Sequence, residues 1–426
     1  MEKKNVLIVG GGGREHAIAW KLKQSEKVGK LYAIPGNAGI AEIAECHSDI
    51  KATDIDKIVE FVDAHKDIYM TVVAPDDPLA MGLVNRLNEK GHRAFGPTAE
   101  AAIIEASKAF SKNLMKKYGI PTAEYEVFDS AEKAHEYVDK CSIPVVLKAD
   151  GLALGKGVLI CNTRKEAHDG VKEIMEDKAF GAAGGKVVVE SFLVGEEVSV
   201  LAYCDGVTVK PMPASRDHKR AKDGDKGLNT GGMGTYSPVP FYTKSLEAEA
   251  MQKIFVPTVN AMKSEGRPFK GVLYFGLMLC KDGIKVLEYN ARFGDPEAQV
   301  VLPRLKTDLF DVFEAVIDGT LEKLDVEYKD DACVCVVAAS GGYPEHYEKG
   351  KEITFSDVPD DIIVFHAGTA KKDGKVVTSG GRVLGVTALG SDLKAAKARA
   401  YEGIKCIKFN NMFYRHDICK IADLPK

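Results

Sequence analysis

The sequence predicts a multidomain protein of mixed α/β and α+β class: an N-terminal parallel βαβ domain, a larger central part, and a small C-terminal β-rich domain. Three observations carry this expectation. The chain has 426 residues, more than one hydrophobic core serves, which suggests two to four domains. Residues 1 to about 97 alternate apolar strand runs with helical runs, the pattern of a parallel sheet. The last hundred residues open on the strand run ACVCVVAAS and continue with strand pairs around KDGK.

The elements follow in order. VLIVG (6–10) reads as a buried strand and REHAIAWKLKQS (14–25) as a helix. KLYAIPG is a strand, DIDKIVEFVDAH a helix and YMTVVAP a strand; DPLAMGLVNRLNEKG reads as one helix and RAFGP as a short strand. In such a sheet, ligands sit at the carboxyl ends of the strands. Those ends carry Gly10 to Gly13, Pro35 to Asn37 and Pro75 to Asp77, so three loops should converge on one crevice. Thr98 is expected to cap a helix running to about Tyr118, with Ser107 restarting it. PTAEYEVF is then a strand, SAEKAHEYVDKC a helix and PVVLKAD a strand. LFDVFEAVIDGTLEKL closes the middle of the chain as a helix near Lys323, and DLKAAKARAYEGIKCI is the last helix.

Composition excludes several classes. A formal charge of −4 argues against a nucleic-acid protein, which normally shows a basic excess. No apolar run is long enough to span a bilayer and no signal peptide is expected before Val6, so no membrane partner is predicted. The nine cysteines include no C-x-x-C pair, and Cys333 and Cys335 read as buried core thiols on one strand face rather than as metal ligands. A reducing, cytoplasmic setting fits this usage.

Five stretches bear on chemistry. VLIVGGGGREHAIAW begins like a dinucleotide site, which wants G-x-G-x-x-G and an acid about 20 residues on. Gly10 and Gly12 fit the first two places, but Glu15 stands at the third, and the second strand ends in Pro35, Gly36 and Asn37 with no acid. A helix N-terminus still binds any phosphate, so the loop suggests a phosphorylated ligand other than NAD. VVLKADGLALGKGVLIC is one residue short of a P-loop and is followed by a strand. It reads as a hairpin whose Lys148, Gly155, Lys156 and Gly157 would fold over a polyphosphate, or as a plain flexible turn. In VVVESFLVGEEVSVLAYCDG a strand ends at Glu190; the linker Ser191 to Leu193, with Phe192, offers an apolar slot and backbone groups for a purine, and Glu197 can accept from ribose hydroxyls.

In GIKVLEYNARFGDPEAQVVLP, strand alternation puts Glu288 and Asn290 on one face, with Leu287 and Tyr289 on the buried one. A carboxylate and an amide oxygen make a hard site suited to Mg²⁺ together with phosphates and water; Arg292 and Asp295 lie in the next loop. Finally, Ala214 to Pro240 is a long irregular run, and such runs are usually functional or disordered. Its Arg216, Asp217, His218 and Lys219 offer both signs of charge, as a zwitterionic substrate needs.

The order of these pieces resembles the ATP-grasp superfamily. Many members carry another acid on the strand before E-x-N, where this chain has Gly276. Five blocks from Val6 to Gly390 — VLIVGGGGREHAIAW, KADGLALGKGV, DHKRAKDGDKGLNTGGMGTYSPVP, LEYNARFGDPEAQ and GGRVLGVTALG — narrow the resemblance to the phosphoribosylamine–glycine ligase family. A departure is APDDPLAMG, where that family usually reads G-P-E-x-P-L, so Asp76 is one methylene shorter than the expected acid.

The resemblance implies a Rossmann-like domain (1–100), ATP-grasp domains (101–325, with 122–190 a mobile lid) and a C-terminal α/β domain (326–426). It implies a monomer that uses ATP and Mg²⁺ or Mn²⁺ to join glycine to 5-phosphoribosylamine through glycyl phosphate. Lys108, Lys148 and the hairpin at Gly155, Lys156 and Gly157 would hold phosphates, and Glu190, Phe192, Leu193 and Glu197 the nucleoside. Glu288 and Asn290 would hold metal. Arg292, Lys148 and Asp217 would serve the reaction, with Asp217, His218 and Lys219 at glycine. Gly10, Gly12, Gly13, Asn37, Asp76 and Asp295 would meet the sugar phosphate, and Arg292 the transferring phosphoryl group or the acyl phosphate. Another ATP-grasp carboxylate–amine ligase is the alternative; a NAD oxidoreductase is disfavoured by Glu15, and a silent nucleotide binder by the intact set Lys148, Glu197, Glu288, Asn290 and Arg292.

Overall fold

A computed structural model describes residues 2–152 and 157–420 of the chain. The first strand, Lys4–Gly10, is central in a five-stranded parallel sheet, flanked by Val28–Pro35 on one side and Ile68–Val73 on the other. Both outer strands, Glu45–Cys46 and Ala94–Phe95, are two residues long. Val6 to Val9 are completely buried, as a strand covered on both faces requires. The helix read from DPLAMGLVNRLNEKG is in fact two, Asp76–Ala80 and Leu83–Glu89. Gly82 breaks it with φ +83°, a conformation that glycine adopts without penalty. Ser107 does restart the following helix: its side chain accepts the Phe110 N–H, separating Ala99–Ala106 from Lys108–Tyr118.

Two four-stranded sheets follow. One pairs Tyr125–Phe128, Val187–Ser191, Val145–Ala149 and Val158–Cys161 in that spatial order, all antiparallel. Its core draws only on residues 128–189. The other runs Val209–Pro211, Gly195–Asp205, Lys270–Cys280, Gly283–Asn290. The helices Lys244–Ala250 and Val256–Ser264 precede this sheet's third strand and were not marked in the sequence.

The fourth large sheet is built on Ala332–Ser340, with Arg382–Gly390 and Ile362–His366 beyond it. On its other side it takes in Gly234–Ser237 and Arg216–Asp217. The long irregular run is therefore ordered: it lends two strands to the sheet of the last hundred residues and forms a hairpin, Arg220–Lys222 with Lys226–Asn229. Two large cores each combine residues from the N-terminal sheet, the middle of the chain and the last sheet.

Candidate functional site

The strand Gly283–Asn290 sets the centre of the site. Its pairing with Lys270–Cys280 slips one residue: Gly276 faces Glu288, while Leu277 faces Val286. This bulge changes the expected alternation. Ile284, Val286 and Tyr289 are buried, whereas Leu287 is only half-buried. Glu288 and Asn290 still share a face, and the bulge turns the Leu287 carbonyl towards Lys148, whose Nζ donates to it at 3.0 Å. Gly276 leaves room for this arrangement, since a Cβ there would press on Glu288 Cγ at 3.0 Å.

Cations surround Glu288. Lys219 Nζ lies 4.0 Å from its Oε1. Burial would raise the Glu288 carboxyl, but Lys219, Lys148, Lys108 and Arg292 together hold it below its ordinary value. Lys108 donates to the Gly151 carbonyl at 2.9 Å, and burial lowers its ammonium despite the pull of Glu288. Among the described residues no three acidic, His or Cys side chains could by themselves hold a metal ion. Glu288 and Asn290 are hard oxygen donors on one face, and that chemistry suits a divalent cation whose remaining ligands come from phosphates and water.

The residues expected at a nucleoside lie on Val187–Ser191, the linker after it and Gly195–Asp205. Phe192 and Val194 are left 40% and 75% exposed, an apolar patch on the linker where the sequence expects a purine slot. Glu190 is instead buried beneath it, with one oxygen 2.9 Å from Lys112 and the other 3.1 Å from Lys148. The sequence reading had overlooked Lys112; burial lowers its ammonium to about 8 against the pull of Glu190. Glu197 is ion-paired with Lys219. Gly157 is buried and its carbonyl accepts the Ala149 N–H at 2.8 Å, while Gly155 and Lys156 lie outside the described residues.

The strand Arg216–Asp217 and its continuation send alternate side chains to opposite sides. Asp217 and Lys219 share surroundings with Glu197, Glu288 and Glu297. Burial raises Asp217, opposed by Lys219 and reinforced by the neighbouring carboxylates. His218 does not join them. It is buried beside Tyr236, its charge neighbours are Arg415, Asp225 and Arg216, and burial lowers it to about 4. The alternation of an extended chain puts it on the far side from Asp217. Arg216 pairs with Glu196 at 2.9 Å.

The three N-terminal loops converge as expected, but two of their residues serve structure. Glu15, at the place where a dinucleotide site wants glycine, folds back so that its Oε2 accepts the Gly12 N–H at 2.6 Å, and its Oε1 takes Arg14 at 2.7 Å. Asn37 is fully committed. Its amide donates to the Gly11 carbonyl (2.9 Å) and the His366 carbonyl (2.8 Å), and its Oδ1 accepts from Gly39 and Ile40. With all four hydrogen-bonding positions of the carboxamide used, Asn37 ties the loops together. Gly10 has φ +123°, and a Cβ there would meet Glu15 Cγ at 2.4 Å. A Cβ on Gly12 would lie 3.6 Å from Asp295 Oδ2, and one on Gly13 would strike Gln299 Nε2 at 2.5 Å. The loop and the segment after Asn290 thus face each other closely. Asp76 opens its short helix and its charge reaches Arg14 and Glu105.

Asp295 accepts from Gln299 at 2.8 Å and pairs with Arg382 at 3.4 Å; burial opposes, but Arg382 and Arg14 keep its carboxyl low. Arg382, from the last sheet, also donates to the carbonyls of Asp295 and Gly231 at 2.7 Å each. Arg292 Nη2 is 2.9 Å from Glu105, and its buried Nε has no partner among the described residues. The sequence reading missed Arg14, Glu105, Lys112, Glu297 and Arg382. Arg14, Glu297 and Arg382 lie within the quoted blocks VLIVGGGGREHAIAW, LEYNARFGDPEAQ and GGRVLGVTALG; Glu105 and Lys112 reach the site from the helices Ala99–Ala106 and Lys108–Tyr118.

Three family models match the chain. Phosphoribosylglycinamide synthetase N domain matches residues 4–105, its ATP-grasp (A) domain 106–298, and its C domain 333–421. The chain is 49% identical to a phosphoribosylamine–glycine ligase of Halalkalibacterium halodurans, over 97% of this chain and 96% of the relative. It is 50% identical to the enzyme of that name from Rhodopirellula baltica, over 98% of each. The crystal structure of phosphoribosylamine–glycine ligase from Thermotoga maritima superimposes with a TM-score of 0.86 at 37% identity, over 97% of this chain and all of that one.

Proposed function

The chain belongs to the phosphoribosylglycinamide synthetase family, and from that premise we propose how its residues divide the work of an ATP-dependent ligase joining glycine to 5-phosphoribosylamine. The products are glycinamide ribonucleotide, ADP and phosphate. The observation that carries the division of roles is the set of cations Lys108, Lys148, Lys219 and Arg292 acting on Glu288, with the open apolar linker at Phe192 between Val187–Ser191 and Gly195–Asp205.

A carboxylate is a poor electrophile. One glycine carboxylate oxygen therefore takes the γ-phosphoryl group, ADP leaves, and glycyl phosphate forms. The sugar amine then attacks the carbonyl carbon; phosphate leaves and the nitrogen gives up a proton. Glu288 and Asn290 hold a divalent cation, Mg²⁺ or Mn²⁺, which neutralises phosphate oxygens when bound. Lys108, Lys148 and the hairpin carrying Gly155, Lys156 and Gly157 steady the phosphates. Phe192 and Leu193 flank the adenine, and Glu197, released from Lys219, accepts from the ribose. Glu190 acts from beneath, fixing Lys148. Asp217, with Glu297, receives the glycine ammonium, and Lys219 faces its carboxylate. Arg292 balances the transferring phosphoryl group. Asp295, Asp76 and the loop from Gly10 to Gly13 face 5-phosphoribosylamine. These contributions are positioning and charge stabilisation, with no covalent intermediate on the protein. The segment 122–190 acts as a lid on units 1–100, 101–325 and 326–426, keeping water from the acyl phosphate. The protein works as a cytoplasmic monomer.

ADP release with ATP and Mg²⁺ tests the reading, with glycine and freshly generated phosphoribosylamine added singly and together. Release that needs both is expected. ATP binding with no release from the pair would keep the nucleotide site and reject the substrates.

A further inference from the structure

We infer that Glu105 is a positioning residue that selects which end of the Asn290 carboxamide faces the cation. Glu105 sits one residue from the end of the helix Ala99–Ala106, with its side chain only 8% exposed. That is a poor place for a carboxylate. The helix C-terminus is negative, and burial raises the carboxyl, as its displacement above the ordinary glutamate value reflects. Three consecutive residues compensate. Oε2 accepts the Ala291 N–H at 2.6 Å, and Oε1 lies 2.9 Å from Arg292 Nη2. The Asn290 amide is satisfied in one orientation, with its nitrogen 3.1 Å from Glu105 Oε1 and 3.1 Å from the Tyr289 carbonyl.

The consequence is chemical. A carboxamide has a donor end and an acceptor end of nearly the same shape, and only the oxygen binds a hard cation. A carboxylate can only accept, so Glu105 draws the nitrogen of Asn290 inward and leaves Oδ1 on the opposite side, towards the face it shares with Glu288. A ligand whose orientation is set by an outer partner loses affinity when that partner changes, typically by about 10–100-fold. The inference rests on the reading of Asn290 as a metal ligand.

The test measures Mn²⁺ binding to the ADP-saturated protein by electron paramagnetic resonance, with circular dichroism checking the fold. Glu105→Gln keeps the volume but has one acceptor oxygen where Glu105 has two, so either Ala291 or the side shared by Arg292 and Asn290 faces an NH₂ group, and Asn290 loses its fixed orientation. Mn²⁺ affinity should fall by about 10–100-fold. Asn290→Asp alone should also weaken binding, although it adds negative charge, because the new carboxylate faces Glu105. Combining Glu105→Gln with Asn290→Asp should restore most of the affinity, since the new amide donates inward and a carboxylate oxygen still faces the cation. Wild-type affinity in Glu105→Gln, tighter binding in Asn290→Asp, or no recovery in the double variant would each overturn the inference. Asn290→Ala separates the premise: unchanged Mn²⁺ binding there removes Asn290 from the metal site itself.

Discussion

At the scale of single residues, the site concentrates opposed charges that burial makes expensive unless they are matched. Glu288 is held ionised by four cations, so removing it leaves them mutually repelled. Glu288→Ala is expected to reduce ADP formation to background with an unchanged circular dichroism spectrum; near-normal turnover would take Glu288 out of the metal site. Asp217 gives a second prediction. Its raised carboxyl protonates at higher pH than an ordinary aspartate, and once neutral it loses its attraction for an ammonium. The KM for glycine should therefore rise as pH falls through that raised value. Asp217→Asn should raise it at all pH values by about 10–100-fold, the equivalent of one charge-assisted hydrogen bond. A flat KM profile for the wild type would assign the ammonium elsewhere. These residues were legible because each follows a recognisable local pattern. Glu105, Arg14 and Arg382 were not: nothing near them in the chain announces that they cross to Arg292, Phe293 and Asp295.

At the scale of elements, the sequence located strands and helices well and misjudged interruptions. The run from Asp77 to Gly91 keeps its helical periodicity across Gly82, so only the backbone reveals the break. The bulge in the E-x-N strand is also invisible in the alternation, because both Leu287 and Val286 are apolar. The seam between the first helix, Gly13–Leu22, and the strand Ile362–His366 supports a further prediction. His16 Nδ1 accepts the His366 N–H at 2.8 Å, and the two rings pack 5.6 Å apart. Burial, with mutual repulsion, depresses His16 to about 3, and burial depresses His366 to about 4, from 6.5. Above pH 6.5 neither state binds the proton, so these groups cost nothing. As pH falls below 6.5 the unfolded chain takes up protons that the folded protein refuses, and stability is lost progressively down to pH 4 and then 3. Each histidine should contribute a slope of up to about 1.4 kcal/mol per pH unit in that window. Urea midpoints at pH 7, 6 and 5 measure it, and His366→Gln should reduce the slope; an identical slope in that variant would place the acid sensitivity elsewhere.

At the scale of the molecule, the four large sheets are not equally independent. The two large cores run through the N-terminal sheet, the middle of the chain and the last sheet, so these should unfold together. The core of Tyr125–Ser191 stands apart and is smaller. Hydrogen exchange should show its strands opening sub-globally at lower free energy than Lys4–Gly10 or Ala332–Ser340. Addition of ADP and Mg²⁺ should slow exchange there first. Equal protection across these three sheets would contradict a separately moving lid.

The sequence by itself determined the parallel N-terminal sheet, the capped helices and the family. Those features rest on periodicity, capping chemistry and short-range spacing, which act between residues close in the chain. Only the tertiary structure decided that the run 214–240 would supply strands to the last sheet, that Asn37 and Glu15 would be consumed by the framework, and that His218 would face away. It also decided that one carboxylate from the helix Ala99–Ala106 would hold Ala291 and Arg292. Each of these is a pairing across a large separation in sequence. A buried polar group must find a partner, and which partner it finds depends on what the rest of the fold brings within 3 Å or so.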